Sequence, residues 1–214
     1  MRVGILGSGD VGRALGTAFA EHGHQVMIGS KTPGKPELTT WKQATGRGAT
    51  TGTFAEAARS GEIVVLCCLG SAAEAVIDLA GPPHFDGKLL IDVTNALDFS
   101  KGMPPGLFVG TTDSLGERVQ RKLPTAHVVK CFNIVPNSLM GHPQLPGGTP
   151  DMIIAGNDAA AKAQVTEILR SFGWNGAIDI GGIEGARWLE AMVALWVRVA
   201  AAVGTYQVAF KVVR

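Results

Sequence analysis

Val3-Gly4-Ile5-Leu6-Gly7-Ser8-Gly9-Asp10-Val11-Gly12 and the following Arg13-Ala14-Leu15-Gly16-Thr17-Ala18-Phe19-Ala20 decide how the chain is read. A short apolar run implies a strand. A tight glycine turn follows. The next segment then shows an apolar helical face at Val11, Leu15 and Phe19. Glycines at 7, 9 and 12 have the spacing of a dinucleotide-binding turn. Gly7 permits the sharp exit from the strand. Gly9 carries no Cβ, so its backbone can approach a pyrophosphate. Gly12 lets the helix pack closely on the strand. The first helical N–H groups and the positive end of the helix dipole then face the phosphates. The alternative is a bare strand-to-helix turn that binds nothing.

The rest of the chain continues the alternation. Gln25–Ser30, Glu62–Cys68, Lys88–Thr94, His127–Phe132 and Asp151–Gly156 read as strands, and Gly176–Ile180 as a short additional one. Helical patterns lie between them: Phe54–Arg59 with Thr53 as its cap, Ser71 to about Ala80 with Ser71 capping, Ser114–Gln120, and Asp158 to about Phe172. Residues 36 to 53 are polar and glycine-rich, with a short helix at Trp41–Ala44. Alternating strand and helix implies an α/β fold, a doubly wound and mainly parallel (Rossmann) sheet. Ligands bind beyond the carboxyl ends of such strands. That places Leu69, Gly70, Asn95 and Asn133 on the binding side, and the long Gly- and Pro-rich loop at 99–112 is placed to cover it.

The residues after the second strand choose the cofactor. An NAD site commonly places Asp or Glu there, to accept from the ribose 2′-hydroxyl. Here the stretch is Gly29-Ser30-Lys31-Thr32-Pro33-Gly34-Lys35, without an acid. Ser30, Lys31 and Thr32 can donate to a 2′-phosphate, with Lys35 beside them, so the pattern favours NADP(H). Elsewhere in a chain, two such lysines would read as solvated loop residues.

Composition narrows the class further. The 214 residues are 46% apolar and 17% charged with a net charge of +1, which argues against a nucleic-acid or membrane-surface binder. Residues 1 to 6 are needed for the first strand, so no signal peptide is expected. The three cysteines, Cys67, Cys68 and Cys131, form neither a disulfide framework nor a zinc spacing. A reducing cytoplasm is the expected compartment. Adjacent Cys67 and Cys68 read as buried strand residues rather than a redox pair. From Gly185 to about Phe210 one long helical pattern is apolar around most of its girth, and Arg187, Glu190 and Arg198 argue against a membrane span. The expected organisation is a nucleotide-binding domain over 1–182 and a helical segment over 183–214. Trp188, Leu195 and Trp196 in that segment are expected to be buried in packing and homodimerisation.

Several segments together carry a family resemblance: GSGDVG at 7–12, IGSK at 28–31, DVTNALD at 92–98, VVKCFNIVP at 128–136 and ARWLEAMVALWVRVA at 186–200. Over nearly its whole length the chain resembles the NADPH-dependent coenzyme F420 reductases and their bacterial relatives. The resemblance implies NADP(H) and hydride transfer to a small-molecule acceptor, a deazaflavin (F420) or flavin. It places Ser8, Gly9, Asp10 and Val11 on the pyrophosphate, and Ser30, Lys31 and Lys35 on the 2′-phosphate. It places Leu69 and Gly70 at a ribose, and Asn95, Asn133 and Ile134 near the nicotinamide and acceptor.

Such a transfer asks little acid–base chemistry of the protein, because the cofactor carries the reaction. The sequence accordingly shows no catalytic dyad or metal-ligand spacing, and no catalytic residue is singled out. Among the histidines only His142 lies in a loop that can reach an acceptor. Two other functions fit the same nucleotide turn. One is a non-catalytic NADPH sensor or docking domain. The other is an imine or carbonyl reductase, which needs a proton donor that the sequence does not offer.

Overall fold

A computed structural model describes residues 1–213. In chain order the main elements are β1 (Arg2–Leu6), α1 (Asp10–Glu21), β2 (Gln25–Gly29), α2 (Pro36–Thr45), β3 (Ala49–Gly52), α3 (Phe54–Ser60), β4 (Ile63–Leu66), α4 (Ala73–Ala80) and β5 (Leu89–Asp92). They continue as β6 (Leu97–Asp98), β7 (Gly106–Leu107), α5 (Leu115–Lys122), β8 (His127–Lys130), α6 (Asn137–Met140), β9 (Met152–Gly156), α7 (Ala159–Ser171), β10 (Ala177–Asp179) and α8 (Ala186–Val203).

Eight strands form one sheet in the order β10-β9-β8-β5-β4-β1-β2-β3. From β3 to β8 every pairing is parallel. β9 runs antiparallel to β8, and β10 pairs parallel to β9. The expected doubly wound sheet is therefore present, with its last two strands reversed. Val3, Ile5, Val65 and Ile91 point into one core layer with Leu15 and Phe19 of α1. Leu6, Val64, Leu66 and Leu90 point into the other, against α3, α4 and α5. Burial on both faces explains why the central strands read as nearly unbroken apolar runs.

Four expectations are corrected. The polar stretch at 36–53 holds a full helix, α2, opened by Pro36, and an edge strand, β3. Its Thr50 and Thr51 carry β-branched character without an apolar run to announce it. Ser71 makes no capping hydrogen bond, because a 3₁₀ turn over Gly70–Ala72 precedes α4. The 99–112 loop is anchored by a small hairpin of β6 and β7. The last helix stops at Val203, where Gly204 adopts a left-handed conformation. The following chain turns back, and the Trp196 Nε1–H donates to the Val208 carbonyl at 2.8 Å. The Asp151 N–H donates to the Phe210 carbonyl at 3.1 Å. The Thr53 and Asp158 caps are as expected, Thr53 within a reciprocal capping box with Glu56.

Candidate functional site

The three glycines of the first turn serve different ends. Gly7 has φ +139°, and a Cβ there would lie 2.7 Å from the Cys67 carbonyl. A Cβ on Gly12 would lie 2.0 Å from the Gly7 carbonyl. Helix–strand packing alone demands both residues. Gly9 is different: its backbone is extended, at φ −74° and ψ −171°, and a Cβ would meet nothing within 4 Å. No protein contact requires glycine there. The open space at Gly9 faces the start of α1, which is where a diphosphate would fit.

That turn forms one side of a cavity of about 670 Å³. Gly7, Ser8, Gly9, Asp10 and Val11 line it from β1 and α1. Ser30 and Lys31 line it from the end of β2, and Leu69 and Gly70 from the end of β4. Thr94 and Asn95 close it beyond β5, with Leu97 and Phe99 reaching in from the small hairpin. Gly12 lies buried beneath the turn.

The end near β2 is polar and carries no carboxylate of its own. Ser8 Oγ donates to Ser30 Oγ at 3.2 Å, and the Thr32 N–H donates to the same Ser30 oxygen at 3.2 Å. Lys35 Nζ donates to the Ser8 carbonyl at 3.4 Å, while the Lys31 and Thr32 side chains are exposed beside it. Arg13 had no part in the sequence expectation. Its guanidinium donates to the Ser8 carbonyl at 2.8 Å and pairs with Asp10. This offsets an acidic charge at the mouth of the phosphate cradle. The legible signal was the Asp10–Arg13 spacing of three along a helix. Ser30, Lys31 and Lys35 thus form a cationic, donor-rich rim suited to a phosphate monoester.

The opposite end is amide-lined. Asn95 Nδ2 donates to the Asn133 carbonyl at 2.9 Å, and Asn133 Nδ2 donates to Asn95 Oδ1 at 2.9 Å. Asn133 Nδ2 also donates to the Leu189 carbonyl of α8 at 2.9 Å, which fixes the amide's orientation. Asn133 Oδ1 is then a buried acceptor without a partner among the described residues. The chain reaches Asn133 through Phe132, a non-glycine residue at φ 64°. Local backbone strain of this kind persists only where surrounding packing holds it. Asn133 sits behind Asn95 rather than on the cavity wall. Ile134 is 1% exposed and packs into the core, so its side chain does not reach the cavity.

Neither neighbouring thiol is a ready nucleophile. Burial pushes the Cys67 thiol far up, and burial with the nearby Asp92 charge pushes Cys68 up to about 12. His142 faces Glu21 at 3.1 Å, at the end of α1 remote from the glycine turn, and does not line the cavity. It borders a separate groove of about 730 Å³ between α1 and α2, floored by Ala14, Ala18 and Trp41. That groove shares Asp10 with the cavity but holds neither the glycines of the turn nor the ends of the central strands.

Beneath the cavity lies a buried ionic group that sequence reasoning missed. Lys130 Nζ, at the end of β8, is 2.9 Å from Asp92 Oδ2 of β5 and 2.8 Å from Glu190 Oε1 of α8. Asp92 Oδ1 accepts from the Thr94 N–H at 2.9 Å and from Thr94 Oγ1 at 2.6 Å. Glu190 accepts from the Leu115 and Gly116 N–H groups at the start of α5, each at 2.9 Å. Burial works against the Lys130 ammonium, but Asp92 and Glu190 outweigh it and hold its pKa above the usual lysine value. The available signal was the position of Asp92 and Lys130, each a charge closing an apolar strand.

A glycine turn opening a helix, a parallel sheet and a cavity across its carboxyl edge define the doubly wound dinucleotide-binding class of protein. A family described as NADP oxidoreductase, coenzyme F420-dependent, matches residues 2–96. A crystal structure from Arthrobacter sp. FB24, provisionally described as an F420-dependent NADP reductase, is 40% identical. It superposes with a TM-score of 0.96, with all of both chains covered. The F420-dependent NADP reductase of Methanothermobacter marburgensis is 29% identical over 91% of this chain and 90% of its own. The metalloreductase STEAP3 of Rattus norvegicus is 29% identical over 89% of this chain, which spans only 36% of that longer protein. The chain belongs to the F420-dependent NADP oxidoreductase family.

Proposed function

We propose that this oxidoreductase transfers a hydride between NADP(H) and a planar acceptor of the deazaflavin (F420) or flavin type. The observation that carries the reading is the pairing of two features of one cavity. Space opens at Gly9 where no protein contact asks for glycine, and the rim at Ser30, Lys31 and Lys35 lacks a carboxylate. Ser8 to Val11 would hold the pyrophosphate, and Ser30, Lys31, Thr32 and Lys35 the 2′-phosphate. Leu69 and Gly70 would flank a ribose. Asn95, held from behind by Asn133, would face the nicotinamide. When bound, the cofactor supplies the hydride. The chain's own contribution is to orient it, exclude water and hold an acceptor ring at about 3–3.5 Å.

Exposed Leu69 and Phe99 at the cavity mouth offer apolar surface for such a ring. An imine or carbonyl acceptor would also need a proton. Beyond the phosphate end, the described cavity wall presents Ser71, Thr94, Asn95 and Cys68, a set without an available acid. Among the described residues, no helix is long and apolar enough to cross a membrane. The unpaired cysteines suit a reducing cytoplasm. We assign the 183–214 segment to packing and homodimerisation.

The test follows reduction of F420 and of a free flavin by NADPH through the acceptor's absorbance. Turnover of either acceptor is expected. Tight NADPH binding with no turnover of either would leave a sensor or docking domain instead.

A further inference from the structure

The Asp92–Lys130–Glu190 group has an electrical property that its role as a staple does not require. All three side chains are buried, Lys130 and Asp92 wholly and Glu190 at 2% exposure. Every hydrogen bond to Asp92 comes from a donor: Thr94 N–H, Thr94 Oγ1–H and Lys130. The same holds for Glu190, which accepts from Leu115 N–H, Gly116 N–H and Lys130. The N–H groups of Thr94, Leu115 and Gly116 and the Lys130 ammonium can only donate, so they call for ionised carboxylates opposite them. The hydrogen bonds therefore favour two carboxylates and one ammonium. The group carries a net charge of about −1, partly offset by roughly half a charge at the start of α5. It is dry, so solvent and salt screen it weakly.

Its position matters as much as its sign. Asp92 ends β5, and the next residues, Val93, Thr94 and Asn95, line the cavity. Thr94 both binds Asp92 and faces the cavity, so the charge lies one side chain beneath the amide-lined end. A nicotinamide ring is cationic when oxidised and neutral when reduced. A buried negative charge under it favours the oxidised form.

We propose that the Asp92–Lys130–Glu190 group biases the bound cofactor toward its oxidised state, making NADPH a stronger hydride donor on this protein than in water. The inference rests on the NADP(H) reading above. Asp92, Lys130 and Glu190 are positioning residues in this scheme, because they act through the field at the cavity and touch neither cofactor nor acceptor.

The bias is read from binding, without turnover. The affinities of the full chain for NADP⁺ and NADPH are measured by calorimetry, and their ratio gives the shift of the bound couple. Glu190→Gln removes one negative charge at nearly constant shape. It is expected to weaken NADP⁺ relative to NADPH by on the order of tenfold. Replacing the whole group as Asp92→Leu/Lys130→Met/Glu190→Gln leaves no buried charge, a kind of exchange that proteins often tolerate. It should move the ratio the same way, and it carries the test if the single variant does not fold. A merely structural staple would change both affinities together and leave the ratio unmoved, which overturns the proposal. Failure of the unaltered protein to bind either nucleotide would instead strike the cofactor reading.

Discussion

At the scale of single residues, the glycine turn separates what packing demands from what a ligand demands. Gly7 and Gly12 are held small by neighbouring carbonyls, whereas Gly9 is not. Gly9→Val should therefore leave the fold intact by circular dichroism and abolish NADPH binding, since its side chain would fill the space opposite the α1 N-terminus. Unchanged NADPH affinity in the folded variant would remove the pyrophosphate from this turn. Lys31 carries the matching argument for the 2′-phosphate. A charge-assisted hydrogen bond contributes roughly 1.5–3 kcal/mol, so Lys31→Ala should weaken NADPH about ten- to a hundredfold with NADH barely affected. Lys31→Glu should go further by repulsion, and added salt should weaken NADPH more than NADH. Equal affinity of the unaltered protein for NADH and NADPH would make Lys31 an ordinary solvated lysine. Asp113 sets a pH dependence of its own. The Arg121 and Arg118 guanidinium groups hold its carboxyl down at about 2, despite some opposing desolvation. The folded value lies below the unfolded one of about 3.9, so its stabilisation is present above pH 4 and lost as pH falls through about 2. Asp113→Asn should flatten that segment of an acid-unfolding curve.

At the scale of elements, legibility followed the apolar pattern. β1, β4, β5 and β8 are buried on both faces and read as continuous apolar runs, so the parallel sheet and its binding edge could be inferred. β3 escaped because an edge strand of Ala49-Thr50-Thr51-Gly52 is held largely by backbone pairing to β2. The end of α8 was misplaced for the opposite reason. Val208 and Phe210 prolong the apolar pattern, while the chain has already reversed at Gly204. In the site, residues contiguous with the glycine turn were legible from spacing. The Asp92–Lys130–Glu190 group was not, since its meaning depends on partners up to 98 positions away in the chain, as from Asp92 to Glu190. That group also ties elements together: Glu190 on α8 meets the first N–H groups of α5. Glu190→Ala would leave Lys130 with Asp92 alone and both N–H groups without an acceptor. It should cost roughly 1–3 kcal/mol for each unsatisfied N–H group, read as a lower urea midpoint.

At the scale of the whole molecule, α8 presents two apolar faces, and one chain covers only one of them. Leu189, Val193, Val197 and Ala200 are buried against the sheet domain. Trp188, Leu195, Val199 and Val203 follow one another at spacings of seven and four along the other side. Trp188 is 60% exposed and Leu195 53% exposed, so the burial expected for them is not met within a single chain; Trp196 is partly covered by the returning tail. A seam with near-heptad spacing is suited to packing against another helix, and a second copy supplies an identical one. The protein is therefore expected to sediment as a homodimer at micromolar concentration. Leu195→Glu places a charge at the centre of the seam without touching the core, so it should give a folded monomer. Truncation before Gly185 should instead expose the core face of the sheet and cause aggregation. A monomer for the unaltered protein at micromolar concentration would remove homodimerisation from this helix, and a dimer unaffected by Leu195→Glu would place the interface elsewhere.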